Sequence, residues 1–176
     1  CVVLLAILAD QSTINSEALI NSLTMGLVAT FIALLLLLLW LEWGPQRRQL
    51  WLWLPILLPA LPLVAGQYTL ALWLKLDGSW TAVVWGHLLW GMPWMLFILQ
   101  PAWQRIDSRL ILIAQTLGWS RAKIFFYVKC PLMLRPVLIA FAVGFAVGIA
   151  QYMPTLWLGA GRFPTLTTEA GALSSG

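Results

Sequence analysis

Charged residues are scarce in this sequence. Aspartate, glutamate, lysine and arginine make up only 9% of its 176 residues, while 61% of the residues are hydrophobic. A soluble domain carries about 25% charged residues, and so few charges cannot cover a water-exposed surface for a chain of this length. The composition therefore excludes an ordinary soluble domain and favours a protein of the lipid bilayer.

Cysteine and histidine are also scarce, which argues against a disulfide framework and a metal site. Cys1 and Cys130 lie in different segments and do not form a disulfide framework. His87 is the single histidine and has no acidic neighbours in sequence, so it does not indicate a metal site. The sequence contains no paired carboxylates within its apolar runs and no plausible Ser-His-Asp set. We therefore expect no catalytic residues, no metal and no cofactor, and hence no enzyme.

Four long apolar runs are present, at about 22–41, 51–74, 81–100 and 132–152. Each is close to the roughly 20 residues that an α-helix needs to cross a bilayer, and none shows the short alternating segments of a membrane barrel. The runs predict an all-α, polytopic transmembrane helical bundle. Because the chain has no initiator Met, and its first apolar stretch is too short to span, we interpret it as a fragment of a longer protein.

Lysine and arginine are distributed unequally between the segments that connect these runs. Eight of the ten lie on one side: Arg47, Arg48, Arg105, Arg109, Arg121, Lys123, Lys129 and Arg135. Lys75 and Arg162 fall on the other side. Since cytoplasmic loops carry an excess of basic residues, residues 42–50 and 105–131 are predicted to be cytoplasmic. The net charge of +4 is explained by this asymmetry and gives no indication of nucleic-acid binding.

Residues 105–131, called the charged loop below, are predicted to fold as two short helices. Asp107 or Ser108 can cap the first helix, and Gly118 can end it in a left-handed conformation. Ser120 can cap the second helix, and Pro131 is expected to end it. The apolar residues between the basic ones are expected to form an exposed knob, and they are Leu117, Trp119, Ile124 and Phe125.

The spacing within the charged loop resembles the signature of the permease subunits of binding-protein-dependent ABC importers. That signature is Glu-Ala-Ala, three residues, Gly, nine residues, Ile, one residue, Leu-Pro. Here Ala114, Gly118, Val128 and Pro131 occupy matching positions. The departures are Leu112 for Glu, Ile113 for Ala and Cys130 for Leu. The stretch LGWSRAKIFFYVKCPLMLRPVLIAF resembles the thiamine and ferric-iron branch, and most closely the permeases built as two fused halves.

This resemblance implies a type I importer permease core, in the bacterial inner membrane, that has no catalytic site of its own. The charged loop would dock on a separate ATPase dimer, which closes on ATP and moves the spans through the docked helices. The docking residues implied are Ala114, Gly118, Trp119, Ser120, Arg121, Val128 and Pro131. The other implied partners are a second permease half, fused or separate, a periplasmic solute-binding protein and the bilayer. The alternative for this loop is a basic amphipathic segment that rests on anionic lipid.

Small and polar residues within the runs suggest further sites. Ala140, Gly144 and Gly148 form a small-residue stripe at which helices can approach closely, either at the second permease half or within one subunit. The candidate solute-path residues are Gln67, Tyr68, His87 and Gln151, and His87 is alternatively a hydrogen-bonded structural residue. Residues 153–176, called the outer segment below, either form an outer gate that faces the binding protein or serve as a plain connection.

Two other classes of function remain open for the whole chain. A secondary transporter normally couples through acidic residues inside the membrane, and the apolar runs contain none. A non-transporting membrane assembly protein would not require the glycine and proline spacing of the charged loop.

Overall fold

The computed structural model describes residues 16–44, 55 and 57–175, and within these ranges the regular elements are helices, with no strand. This confirms the predicted all-α class. In chain order the helices are α1 (Ser16–Trp43), α2 (Ala60–Trp73), α3 (Trp80–Gln104), α4 (Ser108–Thr116), α5 (Arg121–Ile124), the π-helix π1 (Phe125–Lys129), α6 (Cys130–Leu132), α7 (Leu134–Ile149), α8 (Met153–Leu158) and α9 (Leu166–Ser175).

Two of the described helices are long and apolar enough to cross a membrane. They comprise Glu17–Trp43 of α1 and all of α3, with 27 and 25 residues. A third span results if Arg121–Leu132 and Leu134–Ile149 are taken as one segment, which is bent by 74°. The structure therefore contains two helices of spanning length in its described part, or three if the bent pair counts as one.

The four predicted spans correspond to these helices to different extents. The run at about 22–41 lies inside α1, and the run at about 81–100 lies inside α3. The first part of the run at about 51–74 lies outside the described residues, as do Arg47 and Arg48 of the connecting segment. The run at about 132–152 contains α7, which has 16 residues. The division into four spans stays a prediction.

The core lies where α1, α3 and α7 pack against one another. One cluster of buried side chains joins these three helices near the charged loop, with Leu37, Met95 and Leu99 fully buried. A second cluster, which includes Met25 and Leu158, joins α1 and α3 to α2 and α8 at the opposite end. Many leucines on the outer faces remain exposed, as expected for helices whose solvent is lipid rather than water.

The small-residue stripe of α7 lies inside this three-helix core. Ala140 is fully buried. A Cβ atom added at Gly144 would lie 2.5 Å from Met95 Sδ, and one added at Gly148 would lie 3.5 Å from Gly26 Cα. The stripe is therefore a helix interface, but its partners are α1 and α3 of the same chain. Of the two alternatives given for the stripe, these contacts favour packing within one subunit.

Candidate functional site

The first half of the charged loop is an α-helix with a well-formed cap at each end. The Asp107 side chain accepts a hydrogen bond from Arg109 N at 2.9 Å at the start of α4. At the other end Gly118 has a φ of +75°. The Gly118 N–H donates to Gln115 O at 2.9 Å, and the Trp119 N–H donates to Ala114 O at 3.1 Å. These two bonds form the Schellman arrangement, in which a left-handed glycine ends a helix.

This turn gives the Ala-x3-Gly spacing of the motif a physical basis. Ala114 is the residue whose carbonyl closes the outer bond of the turn, and it is buried. Gly118 supplies the left-handed backbone that a side chain would strain. The structure confirms the predicted roles of Asp107 and Gly118 as the two ends of the first helix.

The second half of the loop begins as predicted but ends later. Ser120 caps α5, because its side chain accepts from Lys123 N at 3.4 Å. The backbone then stays helical through π1 and α6, with Val128 in π1 and the break at Met133. The prediction that Pro131 ends the helix is therefore wrong. In π1 the Cys130 N–H donates five residues back, to Phe125 O, and this wider turn leaves room for a proline ring that would clash in an α-helix.

A buried carboxylate at the end of α1 binds the second half of the loop. Arg121 Nε lies 2.9 Å from Glu42 Oε1, and Lys129 Nζ lies 2.5 Å from Glu42 Oε2. Arg121 Nη2 also donates to the backbone carbonyl of Glu42. The Glu42 side chain is 1% exposed, against 14% for Lys129 and 63% for Arg121. These three residues are called the Glu42 cluster below.

Aromatic rings pack against the Glu42 cluster. Lys129 Nζ lies 4.9 Å from the centroid of the Trp103 ring, and Arg121 Cζ lies 6.0 Å from that of Trp43. The Phe125 ring stands between them, with its centroid 5.5 Å from that of Trp43 and 6.2 Å from that of Trp103. Cations stacked on aromatic faces gain electrostatic attraction. The charged loop is thus attached to the ends of both spanning helices.

Sequence reasoning missed Glu42. The residue ends an apolar run and precedes a basic segment, and it was grouped with the cytoplasmic connection. One sequence feature could have indicated it: Glu42 is a carboxylate at the boundary of a predicted span, where an unpaired charge is costly and a basic partner is expected. Its partners are 79 and 87 residues away in sequence, and no local pattern identifies them.

The exposed knob of the loop is smaller than predicted. Leu117 is 68% exposed at the turn, whereas Ile124 and Phe125 are buried, since they face the ends of the spanning helices. Trp119 is half-buried, and Lys123 Nζ lies 4.7 Å from its ring centroid. A pocket of about 380 Å³ opens between α4, α5 and the Glu42 cluster. Of the four predicted knob residues, only Leu117 is prominently exposed, beside a polar pocket, and the loop also exposes Leu112, Ile113, Phe126 and Tyr127.

A second group of polar residues is buried among the helices at the opposite end. Thr155 Oγ1 donates to Gln151 O at 2.8 Å and lies 2.9 Å from His87 Nε2. Because the threonine proton is used by the carbonyl, the histidine ring donates from Nε2. His87 is hydrogen-bonded and buried, which agrees with the structural alternative given for it.

Two other candidate solute-path residues, Gln67 and Tyr68, lie on α2. Trp90 Nε1 donates to the buried Gln67 Oε1 at 3.4 Å. The Tyr68 ring packs edge-on against Trp157 with centroids 5.9 Å apart. Of the four candidates, His87 and Gln151 are joined through Thr155, which bonds the His87 ring and the Gln151 carbonyl, whereas Gln67 and Tyr68 contact different partners. Within the described part of the chain, no three His, Cys, Asp or Glu side chains are grouped so that they could hold a metal ion.

The outer segment folds back onto the spanning helices. It forms α8 and α9, and Pro154, Thr155 and Leu158 of α8 are buried. The Leu166 N–H donates to Ser22 Oγ at 2.9 Å, which attaches the start of α9 to α1. This packing makes the outer segment part of the helical body in the described residues.

Comparisons with known proteins agree on one family. The family model described as "Binding-protein-dependent transport system inner membrane component" matches residues 48–175. The inner membrane ABC transporter permease protein YnjC of Escherichia coli (strain K12) is 99% identical over 176 residues, which is 100% of this chain and 34% of that protein. The spermidine/putrescine transport system permease protein PotC homolog of Mycoplasma genitalium is 30% identical over 94 residues, 53% of this chain and 33% of that protein. The chain spans about a third of the length of these relatives.

Proposed function

The chain belongs to the family of binding-protein-dependent transport system inner membrane components, and we propose that it couples a translocation path to a separate ATPase through the charged loop. The observation that carries this proposal is the Schellman turn at Gly118, which holds Leu117 outward at the tip of the loop. ATP hydrolysis takes place in the partner subunits, and the permease supplies the path. Family membership also argues against a secondary transporter or an assembly protein.

The proposal extends to the direction of transport and to the other partners. The transporter works as an importer in the bacterial inner membrane and receives its solute from a periplasmic binding protein. The second permease half lies in the same polypeptide, and the E. coli relative, about three times as long as this chain, has room for it. We assign the permease to the thiamine and ferric-iron branch because the stretch from Leu117 onward resembles that branch.

Four buried or half-buried polar residues are proposed to border the translocation path. Gln67, Tyr68, His87 and Gln151 are the residues concerned. Buried polar groups within membrane segments are costly, and they commonly belong to a site or a pathway. These residues lie on or beside α2, α3 and α8, towards the predicted outer side.

The first prediction concerns topology. Two exposed residues are each replaced by a single cysteine: Ala122, in the charged loop, and Asp77, between α2 and α3. An impermeant thiol reagent should label Ala122→Cys only from the cytoplasm and Asp77→Cys only from outside, because basic residues are retained on the cytoplasmic side. Labelling of the charged loop in intact cells, where the reagent reaches only the outer side, would refute the orientation and the docking role together.

The second prediction tests docking itself. Leu117→Asp places a charge on the exposed tip without burying it, so the permease should still fold. Copurification of the ATPase with the full-length permease should fall at least fivefold at equal membrane levels, because apolar contact at the tip is lost. Leu76→Asp, at an exposed leucine on the other side of the membrane, is the matched control and should leave copurification unchanged. Equal copurification for both variants would favour a loop that rests on lipid.

A further inference from the structure

Glu42 occupies an unusual position for an acidic residue of this chain. It lies in the last turn of α1, and its side chain is 1% exposed. Both carboxylate oxygens are used, one by Arg121 at 2.9 Å and one by Lys129 at 2.5 Å. Burying a carboxylate costs desolvation free energy, and charged hydrogen bonds must compensate for that cost. The compensation comes from the charged loop, so α1 and the loop depend on each other at this point.

The π-helix brings the two cations to the same carboxylate. An α-helix turns about 100° per residue, so residues eight apart lie about 80° apart around its axis. Arg121 and Lys129 are eight residues apart, and the second half of this segment is π1, which ends at Lys129. A π-turn has more residues and therefore rotates less per residue, which moves Lys129 back towards the face of Arg121. Short π segments frequently mark functional positions, and this one aligns both partners of Glu42.

The contact differs in kind from the hydrophobic packing around it. Apolar side chains can slide past one another by a small distance with little loss of stabilising contact. The Glu42 carboxylate bonds one cation through each oxygen. If α1 and the loop moved apart, at least one of these bonds would break and leave a buried charge unpaired. Movement of α5 and π1 therefore has to move the end of α1 as well.

We propose that Glu42 is a positioning residue that carries movement of the charged loop to α1. This inference rests on the proposed docking of the loop on an ATPase. Docking determines whether the loop is displaced when ATP binds, and Glu42 determines whether that displacement reaches the spanning helix. Arg121 and Lys129 hold the carboxylate, and the rings of Trp43, Trp103 and Phe125 pack beside these two cations.

The experiment uses the full-length permease assembled with its ATPase in lipid vesicles. A single cysteine replaces Leu19, an exposed residue near the outer end of α1, in a cysteine-free background. Its labelling rate by an impermeant maleimide is measured with and without a non-hydrolysable ATP analogue, and copurification of the ATPase is measured beside it. In the unmodified protein the analogue should change the labelling rate at least threefold.

Glu42→Gln keeps the shape of the side chain and removes its charge. The double variant Glu42→Gln with Lys129→Gln also removes the cation that would otherwise stay buried without a partner, so it guards against misfolding. Both variants should keep ATPase copurification within twofold of the unmodified protein, and both should lose the response of Leu19→Cys to the analogue. Asp77→Asn, an exposed carboxylate away from the cluster, should keep the response.

Several results would overturn the inference. A double variant that responds like the unmodified protein shows that α1 moves without the cluster. Loss of copurification in the double variant shows that Glu42 builds the docking surface rather than carrying its movement. An unmodified protein that binds the ATPase but shows no response at Leu19→Cys shows that α1 does not move. Failure of the proposed function itself looks different, because the unmodified permease would then not retain the ATPase at all.

Discussion

Replacing Gly144 with leucine should remove most of the folded permease from the membrane. A Cβ atom at this position would lie 2.5 Å from Met95 Sδ and 3.1 Å from Thr30 Cγ2. Both neighbours are buried, so neither can move aside into lipid. Overpacking of a filled core costs about 1–3 kcal/mol and occasionally more, and leucine adds three heavy atoms beyond the Cβ. We expect destabilisation of about 3 kcal/mol or more, out of the roughly 5–15 kcal/mol that proteins have in total.

The measurement is the fraction of monodisperse full-length permease that survives heating in detergent, followed by size-exclusion chromatography. Gly66→Leu is the control, because a Cβ at Gly66 in α2 would meet nothing within 4 Å. That variant should behave like the unmodified protein. If Gly144→Leu is equally stable and loses only its pairing with the second permease half, the stripe contacts that half after all.

The ends of the short helices in the charged loop could be predicted from sequence because their bonds are local. The cap of Asp107 reaches two residues forward, and the turn at Gly118 is closed within five residues. Such geometry depends on residue type and spacing, both of which are visible in the sequence. Pro131 was misjudged because the π-turn before it, which makes the proline acceptable, leaves no recognisable pattern of residues.

The Glu42 cluster and the position of the small-residue stripe could not be predicted in the same way. Each depends on which helices become neighbours after folding. Glu42 meets side chains 79 and 87 residues away, and Gly144 meets Met95 of another helix. A small-residue stripe permits close approach to any partner, so the sequence alone left both the second permease half and the same chain as candidates.

Gly118→Asp should abolish most of the docking of the ATPase. The residue has a φ of +75°, and a side chain in this left-handed region costs about 1–2 kcal/mol. The strain weakens the turn that presents Leu117, and the new carboxylate lies beside the exposed tip. No Cβ neighbour lies within 4 Å, so the substitution should not disturb the core or the insertion of the spans. We expect copurified ATPase to fall at least tenfold.

Gly161, in the segment predicted to lie on the other side of the membrane, provides a close match for this substitution. Its φ is +71°, and a Cβ there would likewise meet nothing within 4 Å. Gly161→Asp therefore introduces the same charge and a similar strain, but in the outer segment. A difference in ATPase copurification between the two variants is therefore due to where the aspartate lies, and not to the added charge or the backbone strain.

The most direct measurement is ATPase copurification with the Gly118→Asp and Gly161→Asp permeases, purified at equal membrane levels from cells that also express the ATPase subunit. If the charged loop is the coupling element, the Gly118→Asp permease loses the ATPase and the Gly161→Asp permease retains it as the unmodified protein does. Undiminished copurification with Gly118→Asp, or an equal loss with both variants, would contradict the coupling role of the charged loop.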